Sequence, residues 1–435
     1  MQLPEKVNFN WQSVLQKALL DNTINIHEIV SENSEIAADL KNANAAYEYW
    51  DKVRYTVLPE NVSPELFWSI LKFRRSGLYV EKIRLGINVF KYLINPEILA
   101  KLSFINSFNI VPALSLDEEN EYSANAKMKE AIASSRLEGA QALKAEAIEM
   151  LRANLPAKSK SEQMIVNNYR ALNFAEKNID KELSVEFIKE IYSVIMNSSE
   201  ADIFRKDSLN VRVVDIRDDA VLYEPPKAAD IETLLEELCS YVNSSNETNH
   251  VIKAAVIHFL FAYVHPFNDG NGRIARTLFY WFALKKGVNI FKYLTLSEIL
   301  RAIPSQYAKV FLYTEIDEND ITYFINFNLD VIFEELNNFT AYLEAKKEEK
   351  SETPELLSSG VKLNPRQKSI LKEFTEKQNT RNIEYFKNKL GIVYETARTD
   401  LMYMAKKGLL VKTKKGKEFM YSLSKKSLKK IKNGN

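Results

Sequence analysis

The chain has 435 residues, 46% of them hydrophobic and 27% charged, with one cysteine, Cys239. That length exceeds a single ordinary core and implies two or three domains, while one cysteine excludes an internal disulfide and any multi-cysteine metal site. Net charge is only +1, yet residues 362–435 hold 20 Lys and Arg against 6 Asp and Glu, so the rest carries −13, an asymmetry that points to a nucleic-acid contact for the tail.

The start, MQLPEKVNFNWQ, has no apolar leader core, and no run reaches the roughly 20 apolar residues of a membrane span. The expectation is a cytoplasmic protein with no membrane contact. Eleven glycines and 12 prolines are few for this length and favour a mainly α fold. Residues 1–116 read as a helical N-terminal region, as in SPELFWSILKFRRSG with its serine cap and helical apolar spacing. Amphipathic helices continue through DEENEYSANAKMKEAIASSRLEGAQAL, SEQMIVNNYRALNFAEKN and SVEFIKEIYSVIMNS. The period then changes, and 211–226, VRVVDIRDDAVLYEPP, reads as a hairpin closed by two prolines. Two strongly apolar helices follow, VIKAAVIHFLFAYV and ARTLFYWFALKKG. Helix runs on to about 345, and 346–361 reads as a charged linker. The tail, 362–435, reads as three short helices and a basic hairpin, the order of a winged helix-turn-helix.

The joint between the two apolar helices is HPFNDGNGRIAR, 265–276. A helix N-terminus offers unpaired N–H groups and a partial positive charge. Gly270 and Gly272 let backbone approach a ligand closely, and Asn271 adds an amide, so the joint is an anion cradle suited to phosphates. Arg273 and Arg276, three apart, present two guanidinium forks to further phosphate oxygens. Asp269 is a hard oxygen ligand for a Mg²⁺ shared with phosphates. His265, stopped by Pro266, supplies a base near neutral pH. Phe267 belongs to the same nucleotide-binding loop and is expected to anchor it in the core. Base, cradle and metal together indicate attack of a hydroxyl on phosphorus. His258, two turns before His265, reads as a satisfied core histidine, and Cys239 as an apolar filler.

This stretch resembles the signature of the Fic (Fic/Doc) family, HPFxxGNGRxxR, at every defined position. With IHFLFAYVHPF and NNYRAL, the resemblance covers 117–345. It implies a helical domain with a small β-hairpin flap at 211–226 and the active-site loop at 265–276. It also implies transfer of AMP from ATP to a Ser, Thr or Tyr hydroxyl of a target protein. His265 is then the general base, Asp269 the Mg²⁺ ligand, and Gly270, Asn271 and Gly272 the phosphate cradle. Arg273 and Arg276 take the β and γ groups, and Tyr307 is expected near the adenine. The target segment would pair with the flap edge.

SSRLEGA, on a helix near 119–142, resembles the family's inhibitory motif through Ser134, Glu138 and Gly139. A carboxylate there mimics the phosphate it displaces from Arg276. The plain alternative is a helix end with glycine as its cap. In the tail, Arg398, Lys412, Lys414, Lys415 and Lys417 are the candidate DNA contacts, with protein docking as the competing use. Two other functions stay open: removal of AMP from a modified protein, and a DNA-binding regulator whose Fic domain senses nucleotide. The oligomeric state, a homodimer included, cannot be read from the sequence.

Overall fold

A computed structural model describes residues 3–24, 36–60, 62–108, 116–198, 203–207, 213–214, 221–246, 248–357, 363–377, 380–415 and 418–424. It is mainly helical, and the chain divides into two compact units: residues 1–109, 126–142 and 158–336, and residues 110–125, 143–157 and 337–435.

In the first unit, helices α1 (Trp11–Leu20), α2 (Ala37–Ala45), α3 (Trp50–Val53) and α4 (Pro64–Ser76) enclose an aromatic core that includes Trp50, Phe67 and Trp68. A hairpin then interrupts the expected helical run: β1 (Tyr79–Leu85) pairs with β2 (Asn88–Leu93). Leu85 lies opposite Asn88, so the turn is two residues long, and Gly86 supplies its positive φ of 60°. Helix α5 (Pro96–Ser107) follows. Buried and half-buried side chains tie this region to the turn before Thr322. Tyr47 and Tyr79 donate to Asp320 at 2.6 and 2.8 Å, and Lys72 pairs with Asp317 at 2.7 Å.

The centre of this unit is a helix pair. In chain order, helices α6 (Leu116–Leu137, in this unit from Ala126), α8 (Lys160–Lys177) and α9 (Val185–Met196) precede the short flap strands β3 (Val213–Val214) and β4 (Val221–Tyr223), while α7 (Lys144–Arg152) belongs to the second unit. After α10 (Ile231–Asn243) come α11 (His250–Val264) and α12 (Asn271–Lys285). Both are buried around nearly their whole circumference, α11 as a run of mostly apolar residues and α12 with Asn271, Arg273, Arg276 and Thr277 among its buried side chains. Asn249 caps α11 by accepting from Val251 and Ile252. The small residues Ala131, Ala133, Ser134 and Ser135 of α6 are buried, which lets that helix come close to α12. Helices α13 (Leu296–Ala302), α14 (Pro304–Ile316) and the first part of α15 (Thr322–Leu357), as far as Leu336, complete this unit. The expected linker is helical as far as Leu357, because its Glu- and Lys-rich composition favours helix. Residues 358–361 of that linker lie outside the described residues.

In the second unit, α16 (Pro365–Lys377), β5 (Arg381–Asn382), α17 (Ile383–Leu390), α18 (Tyr394–Lys406), β6 (Leu410–Lys415) and β7 (Glu418–Leu423) share a core. It is built on Ile370, Phe374, Phe386, Leu401 and Tyr421. The sheet order is β5-β7-β6, all antiparallel.

Candidate active site

Helix α11 ends at His265, which takes a left-handed conformation with φ 48° and ψ 57°. Only a surrounding that over-determines the backbone holds a non-glycine residue there. Arg205 is that surrounding. Its Nε donates to the His265 carbonyl at 2.7 Å, its Nη2 to the carbonyls of Val264 (3.4 Å) and Pro226, and its backbone N–H to Pro266 (2.9 Å). One buried arginine thus caps the C-terminus of α11 and fixes the end of the flap segment. The sequence reading missed it, since "IFRKD" carries no local signal for such a role.

The His265 ring faces back to its own helix, with Nδ1 donating to the Ala262 carbonyl at 3.3 Å. This bond puts the proton on Nδ1 and leaves Nε2 as the basic nitrogen. Burial lowers the pKa below the ordinary imidazole value, while the Ala262 bond works the other way. The net direction favours the neutral ring.

Phe267 is fully buried, stacked on Tyr192 at 4.1 Å and on Phe204 at 5.6 Å. Its ring anchors the loop in the core and is not a ligand surface. Asn271 closes the loop on itself, accepting from the Phe267 N–H at 3.0 Å and donating to the Phe267 carbonyl at 2.7 Å. Gly270 starts α12 at φ 89°, with Met196 and Ile195 against it. Asp269, 58% exposed, accepts from Arg273 at 3.1 Å. Arg273 is buried, and its Nε has no hydrogen-bond partner among the described residues. A buried donor of that kind beside an open helix N-terminus suits an anion.

Three levels of contact join α6 to α12. Tyr280 donates to Glu130 at 3.0 Å; Arg276 Nε donates to Ser134 Oγ at 2.8 Å; Arg276 Nη2 donates to the Ser134 carbonyl at 3.1 Å and to Glu138 Oε1 at 2.7 Å. Positions 130, 134 and 138 thus run against 280 and 276 at helical spacing. A side chain at 272 would end the arrangement, because a Cβ there would lie 2.2 Å from Glu138 Oε1. The helix end that one reading of SSRLEGA expects is present, and so is a contact between Glu138 and Arg276. Gly139, at φ 93°, ends α6 through Gly139 N–H to Arg136 (3.1 Å) and Ala140 N–H to Ser135 (3.0 Å). Glu138, the cap residue, pairs with Arg276.

The Tyr307 hydroxyl lies 2.8 Å from His258 Nε2. His258 is buried, and burial and the Arg276 charge push its pKa down to about 3. Of the flap, Val213 pairs with Tyr223 and Val214 with Val221. Tyr223 donates to the Tyr263 carbonyl at 2.7 Å and so holds β4 to α11. Residues 211–212 and 215–220 lie outside the described residues.

In the second unit, Arg398 is paired with Glu395 at 3.1 Å, and Lys412 sits 3.7 Å over the Phe419 ring. Lys414 is exposed on β6, and Lys415 ends that strand. Lys417 lies outside the described residues.

Residues 182–283 match the Fic/DOC family. A solved Fic family protein from Desulfovibrio desulfuricans G20 aligns at TM-score 0.51 and 16% identity, covering 77% of this chain and 98% of its own. Fic-1 from C. elegans aligns at TM-score 0.48 and 15% identity, covering 78% and 90%. With the matched segment running from the start of α9 through the flap, α11 and the loop to α12, the chain carries a Fic/DOC family domain.

Proposed function

We propose that the protein is an adenylyltransferase that moves AMP from ATP to a hydroxyl of a target protein, and that Glu138 restrains it. The observation that carries this reading is Arg276, buried and paired at 2.7 Å with a carboxylate at the N-terminal end of a phosphate-type cradle. A carboxylate is the side chain that best imitates a phosphate oxygen pair on a guanidinium.

In this reading the target hydroxyl gives its proton to His265 Nε2 as its oxygen attacks the α-phosphorus. The bond to the β-phosphate breaks, and pyrophosphate leaves. The N–H groups at the start of α12, with Arg273 and Arg276, hold the leaving charge. Asp269 is the residue that would hold Mg²⁺, which supplies charge neutralisation on the phosphates when bound. Mg²⁺ sites of one carboxylate plus substrate phosphates are common, and the exposed Asp269 carboxylate, which would give up its Arg273 contact, fits one. The flap would take an extended target segment by strand pairing. The second unit's helices and basic β6–β7 hairpin support a winged helix that contacts DNA phosphates.

The test is mass spectrometry of the protein and a host lysate after incubation with ATP and Mg²⁺. The Glu138→Ala chain should add AMP to protein. Glu138→Ala with His265→Ala should lose about 10²–10⁴-fold in rate while still binding ATP. Absence of AMP on any protein refutes the activity, and near-normal transfer without His265 refutes its role.

A further inference from the structure

Residues 204–207 touch two parts of the candidate site at once. Phe204 forms an antiparallel bridge with Phe267, and the Arg205 N–H donates to the Pro266 carbonyl at 2.9 Å. The Arg205 guanidinium reaches the turn that carries the candidate base, with Nε on the His265 carbonyl at 2.7 Å and Nη2 on the Val264 carbonyl at 3.4 Å. The same four residues hold the chain where it leaves the flap. Arg205 Nη2 donates to the Pro226 carbonyl, and Asp207 Oδ1 accepts from the Ala228 N–H at 2.7 Å. The direction of each bond is fixed, since guanidinium and amide N–H groups only donate and carbonyl and carboxylate oxygens only accept.

The parts joined in this way are the ones that must agree in a transfer. Strand β4 ends at Tyr223, three residues before Pro226, and Tyr223 is itself pinned to the Tyr263 carbonyl at 2.7 Å. The flap strand is therefore tied to the 263–266 turn twice, directly and through Arg205. The carbonyls at the end of α11 have no following helical turn to donate to them, so their partners must come from elsewhere. His265 holds φ 48° without the freedom of glycine, and its backbone rests on those partners. The Arg205 side chain is 4% exposed, so water does not substitute for it. A lysine does not substitute either, because one ammonium on a flexible stem lacks the planar fork that meets several carbonyls.

We propose that residues 204–207 are a strap that locks the flap exit to the backbone of His265, with Arg205 and Asp207 as positioning residues for AMP transfer. A hydroxyl on a target segment paired with the flap then meets His265 Nε2 at a distance set by the strap. The inference rests on the functional reading above for the reaction and for the flap as the target's seat. Neither Arg205 nor Asp207 has a hydrogen bond or ion pair to residues 270–276 among the described residues, so the strap acts on the hydroxyl and the base and not on nucleotide binding.

The experiment uses the full chain with Glu138→Ala as parent and measures two quantities: the rate of AMP transfer to protein at saturating ATP and Mg²⁺, and ATP affinity by calorimetry. Adding Arg205→Lys should slow transfer by about 10–100-fold, the cost of misplacing reacting groups by about 1 Å. ATP affinity should stay within about twofold. Equal losses in rate and affinity would show that Arg205 only supports the fold, and an unchanged rate would show that it positions nothing; either result overturns the strap. A second pair avoids the buried arginine. Asp207 is 60% exposed, and its removal leaves no cavity. Asp207→Ala should slow transfer about three- to tenfold, the size of one lost hydrogen bond. Asp207→Asn, which keeps the accepting oxygen, should hold the rate within about twofold of the parent. Equal rates for those two variants refute the strap even where Arg205→Lys fails to fold. A parent that places no AMP on protein refutes the transferase reading and the strap's part in it together, whereas an active parent unmoved by these substitutions refutes the strap alone.

Discussion

Replacing Glu138 by alanine removes the carboxylate and leaves the helix end intact. The Arg276 side chain is 5% exposed and that of Glu138 28%. Removing one member of a buried pair costs about 3–5 kcal/mol. Here Ser134 goes on accepting two N–H groups, and the lost carboxylate was partly solvated, so the cost falls to about 1–3 kcal/mol. The ligand-free variant should therefore melt below the wild type. ATP with Mg²⁺ should reverse the order, because a phosphate replaces the carboxylate without having to displace it. ATP affinity should rise by about 10–100-fold, the equivalent of roughly 1.4–2.8 kcal/mol. Thermal unfolding with and without nucleotide, together with calorimetric titration, reads both effects. An unchanged melting temperature with unchanged ATP affinity would show that the pair stabilises nothing and competes with nothing. An equal gain for ADP would show that the carboxylate blocks the pocket by bulk and not by imitating the γ-phosphate.

Other outcomes follow from the same contacts. On the proposed reading His265 works unprotonated as the base, and burial lowers its pKa, so AMP transfer by Glu138→Ala should be level from pH 8 to 7. It should decline only on the acid side of the ordinary histidine value of about 6.5; an acid limb centred above that value contradicts the assignment. Phe267→Ala empties a fully buried site and should cost about 3–5 kcal/mol in denaturant unfolding, whereas a loss under 1 kcal/mol would show that the loop is anchored elsewhere. The full chain should bind duplex DNA with an affinity that falls steeply with salt. Lys412→Glu with Lys414→Glu should lower the slope of log K against log salt by roughly 1.8, which anisotropy titrations at several salt concentrations will show. Failure to bind at low salt would favour protein docking for this unit.

The candidate site's loop was legible as a unit because its residues are local: His265, the glycines and the arginines lie within a dozen positions, where helix periodicity alone fixes which of them share a face. The Glu138–Arg276 contact spans 138 positions, and only the resemblance of SSRLEGA to a known motif pointed to it. Arg205 and the Tyr307–His258 contact are long-range, and no spacing rule reaches them. The β1–β2 hairpin is a different case. The run YVEKIRLGINVFKYL alternates on both sides of a glycine, which is a hairpin signal, but the helical patterns flanking it drew the reading toward helix. Leu357 shows the reverse error, where the Ser- and Pro-containing composition around it reads as linker while the chain stays helical.

The way α6 stops has a kinetic side. A glycine in the left-handed conformation fixes the backbone at the helix end, but it leaves the last side chain before it able to turn. Side-chain turns at partly exposed positions take picoseconds to nanoseconds, whereas unwinding a helix end belongs to microseconds or longer. A latch made of one such side chain, worth about 2 kcal/mol, leaves roughly three molecules in a hundred unlatched at any instant. On the proposed adenylyltransferase reading, the protein would then idle at a few per cent of its open rate, a leak set by rotamer populations and not by melting of α6. Any partner that favours the outward rotamer by another few kcal/mol would bring it to full rate without moving a helix.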